Sequence, residues 1–208
     1  MALTRLGLNQ SINLSSNTTG TLGVANGGTG LTSGTTDQFL KFTGSTTLAS
    51  AADNAGINMF DTWYTTSTQT HSSGEHRLQN WSRMSNESAK KMTNIGSAMS
   101  QSGGEWTFPS TGKYWIMLKT YTSGSATTNY CGVLLKNANN VALNQSYTNR
   151  QSLSTLHNMC MVMTFLDVTD TTDDNCKVRF NTNQGATSLW ISGGDMETQA
   201  FFMRIGDT

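Results

Sequence analysis

The chain has 208 residues, 13 Lys and Arg against 13 Asp and Glu, and a net charge of 0, with only 12% of residues charged. That is about half the usual charged fraction, and it argues against a nucleic-acid partner, which needs a clustered Lys/Arg excess. Ser, Thr, Asn and Gly supply the polarity instead. Thr favours strands and the others favour turns, the composition of an all-β chain with many short connections. No run of about 18 apolar residues occurs, so no membrane insertion is expected. The first residues, Met-Ala-Leu-Thr-Arg-Leu-Gly-Leu, lack the apolar core and cleavage site of a signal peptide.

Residues 1–56 are poor in aromatics and rich in Thr, Gly, Ala and Asn. Such a segment cannot bury enough apolar surface to fold alone. It reads as an extended N-terminal anchor whose apolar side chains, Leu3, Leu6, Leu8, Ile12 and Leu14, would grip a partner. The glycines Gly23, Gly27, Gly28 and Gly30 mark a linker. One short strand is expected at Asp37–Phe42, closed by the turn residues Gly44-Ser45.

From residue 57 to 208 the pattern changes. Apolar bursts recur about every 8 to 15 residues between turn signals, the rhythm of a sandwich or jelly roll. Strands are predicted at Met59–Ser67, His76–Met84, Ala89–Ile95, Gly104–Phe108, Lys113–Tyr121, Tyr130–Asn137, Leu156–Val168, Asn175–Asn181, Ser188–Ser192 and Thr198–Ile205. Strand Lys113–Lys119 sets Tyr114, Ile116 and Leu118 on one face and Trp115 and Met117 on the other. Asn158–Phe165 and Ala200–Ile205 are also apolar on both faces, including Met159, Met161, Met163, Phe201, Phe202 and Met203. A free-standing antiparallel sandwich alternates apolar-in and polar-out. Double-faced strands need a second cover: with no helical pattern to provide it, another copy of the chain is the first expectation, and long loops over central strands are the alternative. These nine residues, Tyr114, Trp115, Met117 and the six just named, are assigned to core or subunit interface. The expected assembly is an obligate homo-oligomer.

Candidate chemistry is sparse. Cys131, Cys160 and Cys176 are odd in number, lack CxxC spacing, and read as reduced, buried apolar side chains. Asp167, Asp170, Asp173 and Asp174 form the densest carboxylate cluster. Asp170, Asp173 and Asp174 could bind a cation, but Thr/Asp-rich turn sequence explains them as local backbone partners. His71, His76 and His157 are scattered and match no metal or nucleophile pattern. No metal, cofactor or catalytic residue is expected, and the chain reads as non-enzymatic. Trp63, Trp81, Trp106, Trp115 and Trp190 read mostly as core or interface anchors. Tyr147, placed in a loop Asn144–Asn149, is the best candidate to contact a ligand such as a surface glycan.

Two resemblances add to this. Gly23-Val-Ala-Asn-Gly-Gly-Thr-Gly30, followed by a Thr/Ser/Gly tract, resembles a phrase recurring in bacteriophage tail-fibre and virion-surface proteins. Three later elements, in order, resemble the TNF/complement globular-head jelly roll. Glu105-Trp-Thr-Phe-Pro-Ser-Thr-Gly-Lys-Tyr-Trp115 resembles its "F…P…G-x-Y" element. Val133-Leu-Leu-Lys-Asn137 resembles its "L-x-K-N" strand, and Thr198–Ile205 its closing strand, with Met203 where the family has glycine. The resemblance implies an all-β, antiparallel jelly-roll β-sandwich that is trimeric around an aromatic and aliphatic core. Together they imply a tailed-phage structural protein on the virion surface, made in the host bacterial cytoplasm. A short surface fibre or capsid-decorating protein, bound to other virion proteins of capsid or tail, is the first expectation. A receptor-binding tail-fibre tip that attaches to a host glycan or protein is the alternative.

Overall fold

The computed structural model describes residues 29, 31, 34–36, 38–45, 47–52, 57–84, 94–123, 130–149, 158–185, 189–194 and 197–208. The chain divides into two units, Met1–Ala55 and Gly56–Thr208. The anchor residues Leu3, Leu6, Leu8, Ile12 and Leu14, the linker glycines Gly23, Gly27, Gly28 and Gly30, and His157 lie outside the described residues, as does most of the strand expected at Ala89–Ile95.

In the first unit, β1 (Gln38–Gly44) and β2 (Thr47–Ala52) form an antiparallel hairpin with Phe42 opposite Leu48. The expected single strand is therefore longer and has a partner. Every β1 side chain is exposed, Phe39, Leu40 and Phe42 included.

The second unit is an antiparallel jelly-roll sandwich. Its strands are β3 (Met59–Thr65), β4 (Gln69–His71), β5 (Gly74–Arg77), β6 (Trp81–Arg83), β7 (Ser100–Ser102), β8 (Glu105–Thr107), β9 (Gly112–Ser123), β10 (Tyr130–Asn137), β11 (Ala142–Asn149), β12 (Asn158–Val168), β13 (Val178–Gln184), β14 (Leu189–Ile191) and β15 (Gln199–Gly206). The first sheet runs β4-β14-β9-β15-β3-β6, with β12 on the other edge of β9. The second runs β11-β10-β13-β8-β7, with β5 also on β13. A 3-10 turn, Asp174–Cys176, precedes β13 where the sequence pattern continued a strand. The strand expected at His76–Met84 splits into β5 and β6 around Leu78 and Asn80. Leu78 is fully buried and Asn80 takes a left-handed φ of 57°.

The inner faces meet around Trp106. Its indole lies 4.9 Å from Trp63, 5.4 Å from Trp81, 6.1 Å from Phe180 and 4.8 Å from Phe202, centroid to centroid. Tyr114, Ile116, Leu118, Val133 and Leu135 complete the core and are fully buried. Cys131, Cys160 and Cys176 are free and buried.

The residues behind the resemblance have physical roles. Phe108 and Tyr114 pack at 4.5 Å, and the Tyr114 hydroxyl donates to Ser110 O at 2.9 Å, tying the strand to the turn before it. Gly112 has φ 145°, and a Cβ there would come within 2.4 Å of Arg204 Nε and 2.7 Å of Gly206 O. Glycine is required by both conformation and space. In β10, buried Lys136 donates to Asn140 Oδ1 at 3.2 Å and pairs with Glu75 at 2.6 Å. Asn137 Oδ1 accepts from Val141 N at 2.9 Å, closing the turn into β11.

Asp61 on β3 is wholly buried, a feature the sequence pattern did not signal. Its carboxylate accepts from Arg83 Nε at 2.6 Å, Trp63 Nε1 at 2.8 Å and Met99 N at 2.8 Å. It thereby ties β3 to β6 and to the segment before β7. Asp61→Ala leaves all three donors without this acceptor, the buried Met99 N–H among them, and is expected to destabilise the fold by about 3 kcal/mol in urea unfolding. A loss under about 1 kcal/mol would show that the carboxylate is not a tie. Trp106→Ala, which opens a cavity at the centre of the core, is expected to cost about 4 kcal/mol in the same measurement.

Candidate functional site

The first sheet has two apolar faces. Even-numbered residues of β9, β12 and β15 point into the sandwich: Tyr114, Ile116, Leu118, Cys160, Val162, Ala200 and Phe202 are buried. Odd-numbered residues point outward, and cross-strand register aligns them. Met163, Met117 and Phe201 form one row, continued by Thr62 of β3. Phe165, Trp115, Met203 and Phe60 form the next. Met159 lies opposite Tyr121. Phe60 and Phe201 touch at 6.5 Å between ring centroids.

Exposure separates this face from a core. Met159 is 60% exposed, Met161 40%, Met163 45% and Phe165 70%. These four occupy alternate positions on β12, which among the described residues pairs only with β9. A long edge strand carrying a row of exposed Met and Phe is a site for association. Methionine's unbranched chain adapts to a partner surface. Polar groups rim the patch: Lys113 pairs with Asp167 at 3.8 Å across one end, and Lys119 and Gln199 lie in the row towards the other. An apolar centre with a polar rim is the anatomy of a protein interface.

The outer face of the second sheet contrasts with it. Glu105 Oε2 accepts from Arg179 Nε at 2.8 Å, and Glu75 is bound by Lys136 and Asn181. Those bonds and the nearby ammonium hold the Glu75 carboxyl below its usual range, against the opposing effect of its burial, which is the largest single influence. Its charges are paired, and Lys136 and Asn181 are themselves buried among them.

The nine residues assigned to core or interface thus divide. Tyr114 and Phe202 are core; Trp115, Met117, Met159, Met161, Met163, Phe201 and Met203 share the outer face. Phe60 and Phe165, which were not among them, complete the patch, and alternation within β3 and β12 carries the signal for both. Tyr147 lies on strand β11 and not in a loop, a correction to the expected turn at Asn144–Asn149. Asn and Ser there read as turn formers, but pairing with β10 over Tyr130–Asn149 to Lys136–Ala142 overrides that preference.

The carboxylate cluster is engaged locally. Asp170 accepts from Thr172 N and Oγ1, both at 2.8 Å, which holds its carboxyl below the usual range. Asp173 caps the 3-10 turn by accepting from Asn175 N at 2.9 Å. Asp174 pairs with Lys177 Nζ at 2.7 Å, and that bond lowers its own pKa and raises the lysine's. Among the described residues no three His, Cys, Asp or Glu side chains gather as a metal site.

His71 on β4 and His76 on β5 stack at 4.9 Å where the chain passes from one sheet to the other. His71 Nδ1 lies 2.8 Å from Thr182 Oγ1. Burial, and secondarily His76, lowers its pKa from 6.5 to about 4. The unfolded chain therefore takes up this proton first as the pH falls, and stability drops from pH 6.5 towards pH 4. His71→Asn is expected to flatten the thermal midpoint against pH across that window. An unchanged slope would show that His71 does not titrate there.

No protein-family model matches the chain, and no curated protein matches its sequence. Solved structures do. The chain is similar to the Eiger TNF of S. frugiperda, at 12% identity and a TM-score of 0.53, over 74% of this chain and 96% of that one. It also aligns with murine APRIL at 11% identity and a TM-score of 0.49, over 71% of this chain and 98% of that one. The PRD1 vertex protein P5 aligns at 14% identity and a TM-score of 0.46, over 73% of this chain and 100% of that one. The fold of the second unit is the TNF-like jelly roll.

Proposed function

We propose that this chain is a non-enzymatic structural protein of a tailed-phage virion. It forms a homotrimeric short surface fibre or capsid-decorating protein, anchored through its N-terminal segment. The carrying observation is the outer face of β12, β9, β15 and β3. Its row of Met159, Met161, Met163 and Phe165 is solvated in a single chain. Burial of such a row against other copies removes apolar area from water at roughly 25 cal/mol per Å². The resemblance to the globular-head jelly roll favours three copies over two. Lys113 and Asp167 at the rim would set orientation more than affinity.

The virion setting rests on the Gly23–Gly30 phrase and on the composition of the segment before it. Leu3, Leu6, Leu8, Ile12 and Leu14 are spaced apolar side chains in a stretch too polar to fold by itself. Extended, about 50 residues reach well over 100 Å, and main-chain pairing with a neighbouring strand is a general way for such a segment to dock. Three buried, free cysteines suit synthesis in a reducing cytoplasm.

Light scattering at micromolar concentration is expected to give three times the 22.5 kDa chain mass. Met163→Glu with Phe165→Glu places six carboxylates on the shared face of a trimer and is expected to release monomers that keep the parent circular dichroism. A monomeric parent chain would sink the reading. Deleting residues 1–30 is expected to leave the trimer intact and abolish incorporation into particles; unchanged incorporation would remove the anchor.

A further inference from the structure

The polar outer face of the second sheet carries one aromatic corner. Tyr130, Gly132 and Leu134 alternate outward on β10. Gly132 lies between Tyr147 on β11 and Asn183 on β13. A Cβ on Gly132 would sit 2.3 Å from both Cδ1 and Cε1 of Tyr147, so the tyrosine ring rests over the bare glycine backbone. Tyr130 does the same over Gly185, where a Cβ would meet Tyr130 Cε1 at 3.1 Å. The two rings are 5.7 Å apart and inclined at 71°. Tyr147 remains 44% exposed, and its hydroxyl accepts from Asn183 Nδ2 at 3.4 Å.

A glycine under an aromatic ring holds the ring against the sheet and leaves its far face towards solvent. Tyr147 is then a shelf and Tyr130 the upright beside it. Around the shelf are amides: Asn183 beside the hydroxyl, and Gln145 two residues along the same face of β11. Glu75, the register partner of Asn183, has its carboxylate bound by Lys136 and Asn181. The corner therefore offers an apolar plane and neutral groups that both donate and accept hydrogen bonds. Two rings in polar surroundings are too small a patch for a protein partner, which needs about 800 Å² on each side. A pyranose ring matches both features, with a C–H face for stacking and hydroxyls at its rim for amides.

We propose that the Tyr147–Tyr130 corner is a saccharide-binding site that takes a neutral hexopyranose, stacked on Tyr147 and hydrogen-bonded by Asn183 and Gln145. The site lies on the sheet opposite the association face and stands whether or not the chains assemble.

The test is saturation-transfer NMR on the full chain with the methyl glycosides of glucose, galactose, mannose and N-acetylglucosamine at millimolar concentration. Transfer to the ring C–H protons of at least one is expected. It should persist in Tyr147→Phe and fall at least fivefold in Tyr147→Ala. Gly132→Ala, whose added methyl lifts the ring, should lower it similarly with circular dichroism unchanged, so the outcome does not depend on Tyr147→Ala folding. Absence of transfer to all four glycosides overturns the proposal. So does transfer that survives Gly132→Ala unchanged. Variants that lower the melting temperature of a parent chain giving no transfer would identify the corner as a cross-strand packing pair only, which also overturns it.

Discussion

A strand has two faces, and in β9, β12 and β15 both are apolar. The inner faces meet the second sheet around Trp106, and that burial is sufficient to set the sandwich. Among the described residues the outer face is open along β12, where Met159, Met161, Met163 and Phe165 are exposed, and half-buried at Trp115, Met117, Phe201 and Met203. Water is a poor neighbour for four exposed side chains in a row on an 11-residue edge strand. The proposed assembly follows from this constraint. So does the contrast between the sheets: the second carries the Glu105–Arg179 and Glu75–Lys136 pairs where the first carries its apolar rows.

Burial of the inner faces also organises the polar groups that accompany it. Asp61 lies inside the sandwich with three donors around it, and it orients β3, whose alternate residues Phe60 and Tyr64 face outward. Gly112 lets the β9 backbone start against Arg204 and Gly206, which sets the register that lines Trp115 beside Met203. Displacing that register by one residue would exchange inner and outer sets on the longest strand of the first sheet. The association face is thus a consequence of how the core is closed, and mutations at Asp61 or Gly112 would reach it indirectly.

The two proposed surfaces use opposite physics. The first is broad, methionine-rich and adaptable, and suits a copy of the chain. The second is a pair of rings held by glycines and flanked by amides, suited to a small ligand with one apolar side. Their separation on opposite sheets would let a particle-bound trimer keep the sugar corner facing solvent.

Much of this was legible in the amino-acid sequence. Period-two alternation and turn residues marked most of the long strands, and apolar residues on both faces of Lys113–Lys119 and Asn158–Phe165 pointed to a second cover. These signals are local, carried by residues one or two apart. Strand β11 was not legible, because Asn, Gln and Ser in Ala142–Asn149 favour turns until β10 supplies hydrogen bonds. Buried Asp61 was not legible either, since its donors come from positions 2, 22 and 38 residues away. The sequence by itself determined an all-β chain with more apolar strand surface than one sandwich can hide. Only the tertiary structure decided which residues form the uncovered face, separating Tyr114 and Phe202 from Trp115 and Met203, and which ring stands over which glycine, because register across strands is a pairing of distant segments.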